Sequence, residues 1–138
     1  MRIEEKRKVG AKVLYPELSY VLTGILFEAH KQLGRFGREK QYGDFIEKNL
    51  KEQKIQYGRE VAIASRGNIM DFIVDDKIVL ELKADRVITK EYYRQIQNNL
   101  QQAKIKLGIL VNFRDSKLTP KRIIRIDSAV NSHESDNS

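Results

Sequence analysis

The stretch from Ile69 to Ala84, IMDFIVDDKIVLELKA, constrains the fold of this chain more than any other. It predicts two β-strands joined by a tight turn. In the second strand Ile78, Val79, Leu80 and Leu82 surround Glu81 and Lys83. A short, nearly continuous apolar run of this kind marks a central strand in a sheet covered on both faces. A carboxylate and an ammonium in such a strand are costly to bury without partners. Side chains alternate along a strand, so Val79, Glu81 and Lys83 share one face. An acid and an amine aimed the same way from a core strand point to a site for a metal ion or a phosphate.

The register of the hairpin decides whether Asp71 joins them. A three-residue loop, Asp75 to Lys77, pairs Val74 with Ile78 and therefore Asp71 with Glu81. Directly opposed residues have Cβ atoms about 5 Å apart, close enough for two carboxylates to bracket one divalent cation. A two-residue loop would pair Asp71 with Leu80 and turn Glu81 to the other face. Opposed like charges destabilise a sheet unless something positive lies between them; Lys83 is one candidate and Mg²⁺ another.

The length fits one domain with a sizeable core. A third of the residues are charged and the formal net charge is +7. Glu134 and Asp136 are the only charged side chains of strong acid or base in the tail from Ser128, so the remainder stands near +9. A basic domain is compatible with a polyanionic partner, of which nucleic acid is the commonest, although many basic domains bind no anion specifically. The absence of Cys excludes disulfides and thiolate metal sites and fits a cytoplasmic protein. No apolar run approaches the length of a membrane span, and the N-terminus lacks the apolar block of a secretory signal, so no membrane association is expected.

Taken in order, residues 1–14 read as a basic flexible arm. A helix starts at Pro16, with Glu17 in its first turn, and runs to Gly34. Leu18, Val21, Leu22, Ile25, Leu26, Ala29 and Leu33 form its apolar stripe. His30 has no second His near it and reads as a helix-end residue. A second helix spans Glu39 to about Gln53, with Tyr42, Phe45, Ile46 and Leu50 facing inward. Gly43 inside it costs about 1 kcal/mol relative to Ala and suggests close backbone packing. Glu39 at its N-terminus is favoured by the helix dipole, and by itself reads as a capping acid.

Lys54 to Glu60 reads as a polar link, Val61 to Ala64 as a first strand, and Ser65 to Asn68 as a turn. After the hairpin, a third helix covers Thr89 to Ala103, with Thr89 as N-cap. Tyr93, Ile96, Leu100 and Ala103 mark its buried side. Tyr92, Gln95 and Asn99 form another stripe, from which Gln95 can reach the sheet site. Leu107 to Asn112 is a strand, Arg114 to Lys121 a loop, Arg122 to Ile126 a last strand, and residues 128–138 a disordered tail. The folded domain is thus residues 15–127. An αβββαβ core with a mixed sheet follows, the strands at Ile78 and Leu107 being parallel across a right-handed crossover.

These residues resemble the PD-(D/E)XK nuclease superfamily, with its α/β restriction-endonuclease-like fold of a central mixed β-sheet flanked by helices. More narrowly the chain resembles the GxxExxxR protein family of small prokaryotic proteins. The similarity runs from about Tyr15 to Ile126. It is carried by EAHKQLG from Glu28, by Glu39 with Tyr42, by DFIVDDKIVLELKA from Asp71, by Gln95, and by LGILVNF from Leu107. Two positions depart from the family's name. Three residues before Glu39 stands Phe36, with Gly37 one place later, and four residues after Glu39 stands Gly43 rather than Arg.

The resemblance implies that Asp71, Glu81 and the backbone carbonyl of Leu82 bind Mg²⁺, with Mn²⁺ as a substitute. Lys83 would orient or deprotonate the attacking water. Glu39 would reach the metal directly or through water, and Gln95 matches a glutamine that some members carry on the helix after the Glu-x-Lys strand. The chemistry stands on its own terms: Mg²⁺ takes a few carboxylates and several waters, polarises a phosphodiester and acidifies a bound water, and a Lys in a partly dry site can act as a base. The implied activity is hydrolysis of nucleic acid, DNA first, and a homodimer is compatible with it.

Three other readings are open on the same residues. One is a catalytically inactive module that binds nucleic acid or protein; another is a subunit active only with a partner. The third is a structural network in which Asp71 pairs with Lys83 and Glu81 with an Arg. Candidate phosphate contacts are Lys104, Lys106, Arg114, Lys117, Lys121, Arg122 and Arg125, with Arg86 and Lys90 nearer the site. No aromatic run resembles a base-stacking platform, so modest sequence specificity is expected.

Overall fold

Apolar periodicity sets two helical layers around one sheet. A computed structural model of the protein describes residues 14–62 and 68–127. Its elements are α1 (Pro16–Leu33), α2 (Glu39–Glu52), β1 (Tyr57–Ala62), β2 (Ile69–Val74), β3 (Ile78–Lys83), α3 (Lys90–Ala103), β4 (Leu107–Asn112) and β5 (Lys121–Ile124). The five strands lie in the order β1-β2-β3-β4-β5. All neighbours are antiparallel except β3 and β4, which run parallel and are linked through α3. Leu22, Leu26, Tyr42, Ile46, Phe72, Leu80 and Val111 form the core between the sheet and α1 with α2. Met70, Val79, Ile96, Leu100 and Leu110 form a second core under α3. Gly108 lets that helix close down, since a Cβ there would come within 2.8 Å of Ile96 Cδ1.

The three-residue turn occurs. Asp75 and Asp76 both take the left-handed conformation, with φ of 52° and 55°, which Asp tolerates better than most residues. Lys77 N–H donates to the Val74 carbonyl at 2.9 Å, and Val74 lies opposite Ile78. β3 is buried along its length, with only Lys83 half-exposed at its end.

Two boundaries differ from the sequence expectation. Tyr57 to Glu60 are not a link but most of β1, paired with β2 from Val74 onward. Their polar ends reach α2: the Tyr57 hydroxyl donates to Glu47, and Arg59 bridges Asp44 and Glu47 at 2.8 Å each. The last strand spans Lys121–Ile124 and stops before Arg125, although Arg125 N–H still donates to the Lys106 carbonyl at 2.8 Å. Thr89 is the N-cap of α3 by position but makes no side-chain cap bond. The arm expected over residues 1–14, apart from Leu14, lies outside the described residues, as do most of the Ser65–Asn68 turn and the tail at 128–138.

Candidate active site

The hairpin register, carried one pair beyond Phe72 and Leu80, sets Asp71 opposite Glu81. The backbone ladder gives way there. Leu82 N–H donates to Asp71 Oδ2 at 2.7 Å, so a side chain takes the place of a strand partner. Glu81 is 8% exposed. Burial, then the charge of Asp71 and a hydrogen bond with it, push the Glu81 carboxyl up to about 8, against a weaker pull from Asn99 and Lys83. Burial and the facing acid therefore favour the protonated form of Glu81. Asn99, on α3, donates from Nδ2 to Glu81 Oε2 at 3.0 Å. Its Oδ1 is buried without a partner.

Glu39 opens α2 and reaches the end of β3. The residue is exposed, but its carboxyl is tucked against the backbone N–H of Ala84. Loss of hydration raises its pKa; Lys83 opposes this, and Asp71 and Asp85 add to it. Glu39, Asp71 and Leu82 line one cleft of 220 Å³ together with Lys40, Arg59 and Glu60. A larger hollow of 720 Å³ beside β1 and the Asp75–Asp76 turn contains none of the proposed catalytic groups.

Lys83 stands apart from its acids. Among the described residues no carboxylate lies within 4.0 Å of its ammonium. Instead Nζ sits 4.4 Å from the centre of the Tyr92 ring. The Tyr92 hydroxyl donates to Asp85 Oδ2, which raises the Tyr92 pKa. Asp85 is itself fixed by Asn112: its N–H donates to Asn112 Oδ1 at 3.0 Å, and Asn112 Nδ2 donates to its carbonyl at 2.7 Å. The parallel register sets Asn112 beside Lys83. Asp85, Tyr92 and Asn112 thus form a frame that holds the ammonium without neutralising it.

The structure brings Glu39, Asp71, Glu81, Leu82 and Lys83 to the splayed ends of β2 and β3. Gln95 does not join them. It is exposed, with no side-chain hydrogen bond among the described residues, and the α3 side chain that reaches Glu81 is Asn99, one turn on. Of the alternative pairings, Glu81 meets an asparagine rather than an Arg, and Asp71 bonds a backbone N–H rather than Lys83.

Among the described residues no three His, Cys, Asp or Glu side chains form a ready-made metal cage. Two carboxylates suffice for Mg²⁺, which usually takes one or two from a protein and keeps several waters. Asp71 and Glu81 fit that requirement: hard oxygen donors on adjacent strands, facing each other across the hairpin.

Sequence reasoning does not single out Arg59. It lies on β1 with its guanidinium against Gly43, where a Cβ would come within 2.5 Å of Nη2. The signal was a glycine inside an amphipathic helix. The guanidinium also lies over the Phe72 ring, 5.5 Å from its centre.

A family model described as the PD-(D/E)XK nuclease superfamily matches residues 16–126. Neither the curated proteins nor the solved structures that were searched gave a match. The mixed five-stranded sheet with three flanking helices is consistent with a restriction-endonuclease-like α/β fold. Among the described residues no helix is long and apolar enough to cross a membrane.

Proposed function

We propose, since this chain belongs to the PD-(D/E)XK nuclease superfamily, that it hydrolyses phosphodiester bonds of nucleic acid, DNA first, in a Mg²⁺-dependent reaction. One observation carries the reading. Two carboxyls face each other from adjacent strands, beside a lysine whose ammonium packs on an aromatic ring and, among the described residues, has no carboxylate within 4.0 Å. Family membership suggests nuclease activity and hence a nucleic-acid substrate; the metal, the DNA preference and the residue roles are our assignment. We also place the chain, more narrowly, with the GxxExxxR proteins. Glu39 and the Asp71, Glu81 and Lys83 pattern support that placement, while Phe36 and Gly43 stand where the name has Gly and Arg.

In this reading Asp71, Glu81 and the Leu82 carbonyl would hold the metal, and Glu39 would reach it directly or through water. When bound, the cation polarises the phosphodiester and acidifies water. Asn99 holds Glu81 in the strand so that its carboxylate cannot swing away. Lys83, steadied over Tyr92, keeps its ammonium for the attacking water or a phosphate oxygen. Water adds to phosphorus as the P–O ester bond breaks; the water proton passes to solvent, and the leaving oxygen takes a proton from solvent or from the Lys83 ammonium. Gln95 is exposed one turn before Asn99, and we assign it to contact with substrate.

The test is cleavage of single- and double-stranded DNA and RNA with Mg²⁺, Mn²⁺ or EDTA, by wild type and by Asp71→Ala, Glu81→Ala and Lys83→Ala. We expect metal-dependent cleavage that each substitution lowers at least about 100-fold, the scale for losing a catalytic acid–base group, while circular dichroism stays native. Cleavage that survives Lys83→Ala and Glu81→Ala rejects the assignment.

A further inference from the structure

The loops beside the cleft carry a second group of side chains. Phe36, between α1 and α2, is 71% exposed. A single exposed ring is ordinary; its company is not. The guanidinium of Arg35 lies 4.7 Å from the ring centre and that of Arg114 lies 5.1 Å from it. Arg35 Nε donates to the Arg114 carbonyl at 2.8 Å, which fastens the two loops together. Among the described residues neither guanidinium has a carboxylate within 4.0 Å, and Arg114 Nε is buried without an acceptor. A cation–π contact at an exposed ring contributes about 0.5–1 kcal/mol. That is a small return for gathering two unneutralised cations, which together favour an incoming anion.

This patch is tied to the cleft through the core. The Tyr42 hydroxyl donates to the Gly34 carbonyl at 2.5 Å and accepts Gly37 N–H at 2.9 Å, holding the loop that bears Phe36. The Tyr42 ring stacks on Phe113 with centres 4.0 Å apart. Phe113 N–H donates to the Lys83 carbonyl at 2.8 Å. Phe36 precedes Glu39 by three residues, so their Cα atoms are within about 11 Å. Arg114 N–H donates to Asn112 Oδ1 at 3.2 Å, the same atom that holds Asp85.

We propose that Phe36, Arg35 and Arg114 form a contact for an unpaired nucleic-acid strand next to the cleft. The ring stacks with a base, and the guanidiniums hold phosphates of the same strand. A duplex keeps its bases stacked inside, so an isolated ring of this kind selects single strands or frayed ends. This rests on the nuclease reading above and goes beyond it in naming the strandedness of the substrate and the groups that read it.

The experiment uses the full chain carrying Lys83→Ala, to prevent turnover, and a single-stranded oligonucleotide containing 2-aminopurine, read by anisotropy and by fluorescence quenching. Adding Phe36→Ala should weaken binding about 5- to 150-fold, the range for losing one base–aromatic stack, and abolish the quench. Phe36→Trp should retain both. Arg35→Gln should keep the quench but flatten the salt dependence by about 0.7 in log–log slope, the value for one phosphate of a single strand. Unchanged affinity and quench in Phe36→Ala, in a protein whose wild type cleaves nucleic acid, overturns this inference and leaves the nuclease reading standing. A wild type that neither cleaves nor binds nucleic acid removes both.

Discussion

The raised pKa of Glu81 makes the metal-free protein lose stability as pH rises. Glu81 is lifted from 4.5 to about 8 by burial first and by Asp71 second. In the unfolded chain it returns to the ordinary carboxyl range. Between those two values the folded protein binds a proton that the unfolded chain has released, so stability falls with increasing pH across that window. It is fully present below about pH 4.5 and gone above about pH 8. At about 1.4 kcal/mol per pH unit the whole shift corresponds to about 5 kcal/mol; relaxation and water around the charged carboxylate bring the expected loss to about 2–4 kcal/mol.

Glu81→Gln removes this dependence. The amide can still accept from Asn99 and donate to Asp71, and it carries no charge at any pH. We therefore expect Glu81→Gln to match wild type near pH 5 and to exceed it near pH 8, by about 10 °C in unfolding temperature for a domain of this size. The assay is thermal and urea unfolding in EDTA from pH 5 to pH 9. Adding Mg²⁺ at pH 8 should stabilise wild type, with proton release in calorimetry, and leave Glu81→Gln unmoved. A wild-type stability that is flat from pH 5 to pH 8, or a Glu81→Gln variant that is weaker at every pH, refutes the reasoning.

Asn99→Ala should destabilise the metal-free protein by about 1–3 kcal/mol in urea unfolding, the cost of leaving a buried acceptor unpaired, whereas Asn99→Asp should be worse at pH 8 than at pH 5 because it sets a third acid on Glu81. Gly43→Arg should cost about 1–3 kcal/mol as an overpacked site, since Arg59 occupies that space. In the Arg59→Ala background the same substitution should be tolerated, and a double-mutant cycle should show coupling of about 1 kcal/mol or more. Asp85→Asn should bring the Tyr92 hydroxyl down toward its ordinary value near 10, because Asp85 is the largest cause of its rise; ultraviolet titration against Tyr92→Phe reads it.

The parts legible in the sequence are those set by local pattern. The apolar run from Ile78 and the Asp75-Asp76-Lys77 turn fix strand, burial and register together, because a slip of one residue would turn every side chain over. The same reasoning reaches Asp71, Glu81 and Lys83. It fails at β1, since Tyr57 to Glu60 look like a solvated link until Asp44 and Glu47 of α2 are seen to receive their polar ends. On α3 the spacing of Tyr92, Gln95 and Asn99 identifies a face but not a depth. Periodicity places Gln95 and Asn99 on one stripe; only the packing of the helix, set by Gly108, decides that Asn99 is the one that meets Glu81. The Arg59 contact with Gly43 joins an irregular helix position to a strand, and no local rule connects them.

What distinguishes this site from a structural ion-pair network is which charges were brought together. A network built for stability would place Lys83 against Asp71 or Glu81, since a buried carboxylate with a partner avoids most of its desolvation cost. Here two acids face each other across the hairpin, and the ammonium packs on an aromatic ring. Asn112 and Asp85 are committed to fixing that ring and its neighbours. Each choice is unfavourable for the metal-free fold: burial favours a protonated Glu81, and among the described residues no carboxylate lies within 4.0 Å of the Lys83 ammonium. Such an arrangement persists only where the surrounding core over-determines it, and β3 is buried on both faces by two separate cores. Both costs are relieved by the same visitors. In the proposed function a divalent cation would satisfy the paired carboxylates, and a phosphate would satisfy the lysine. That pattern supports the proposed reading, in which a metal-bound phosphodiester occupies the site, over a brace for the sheet.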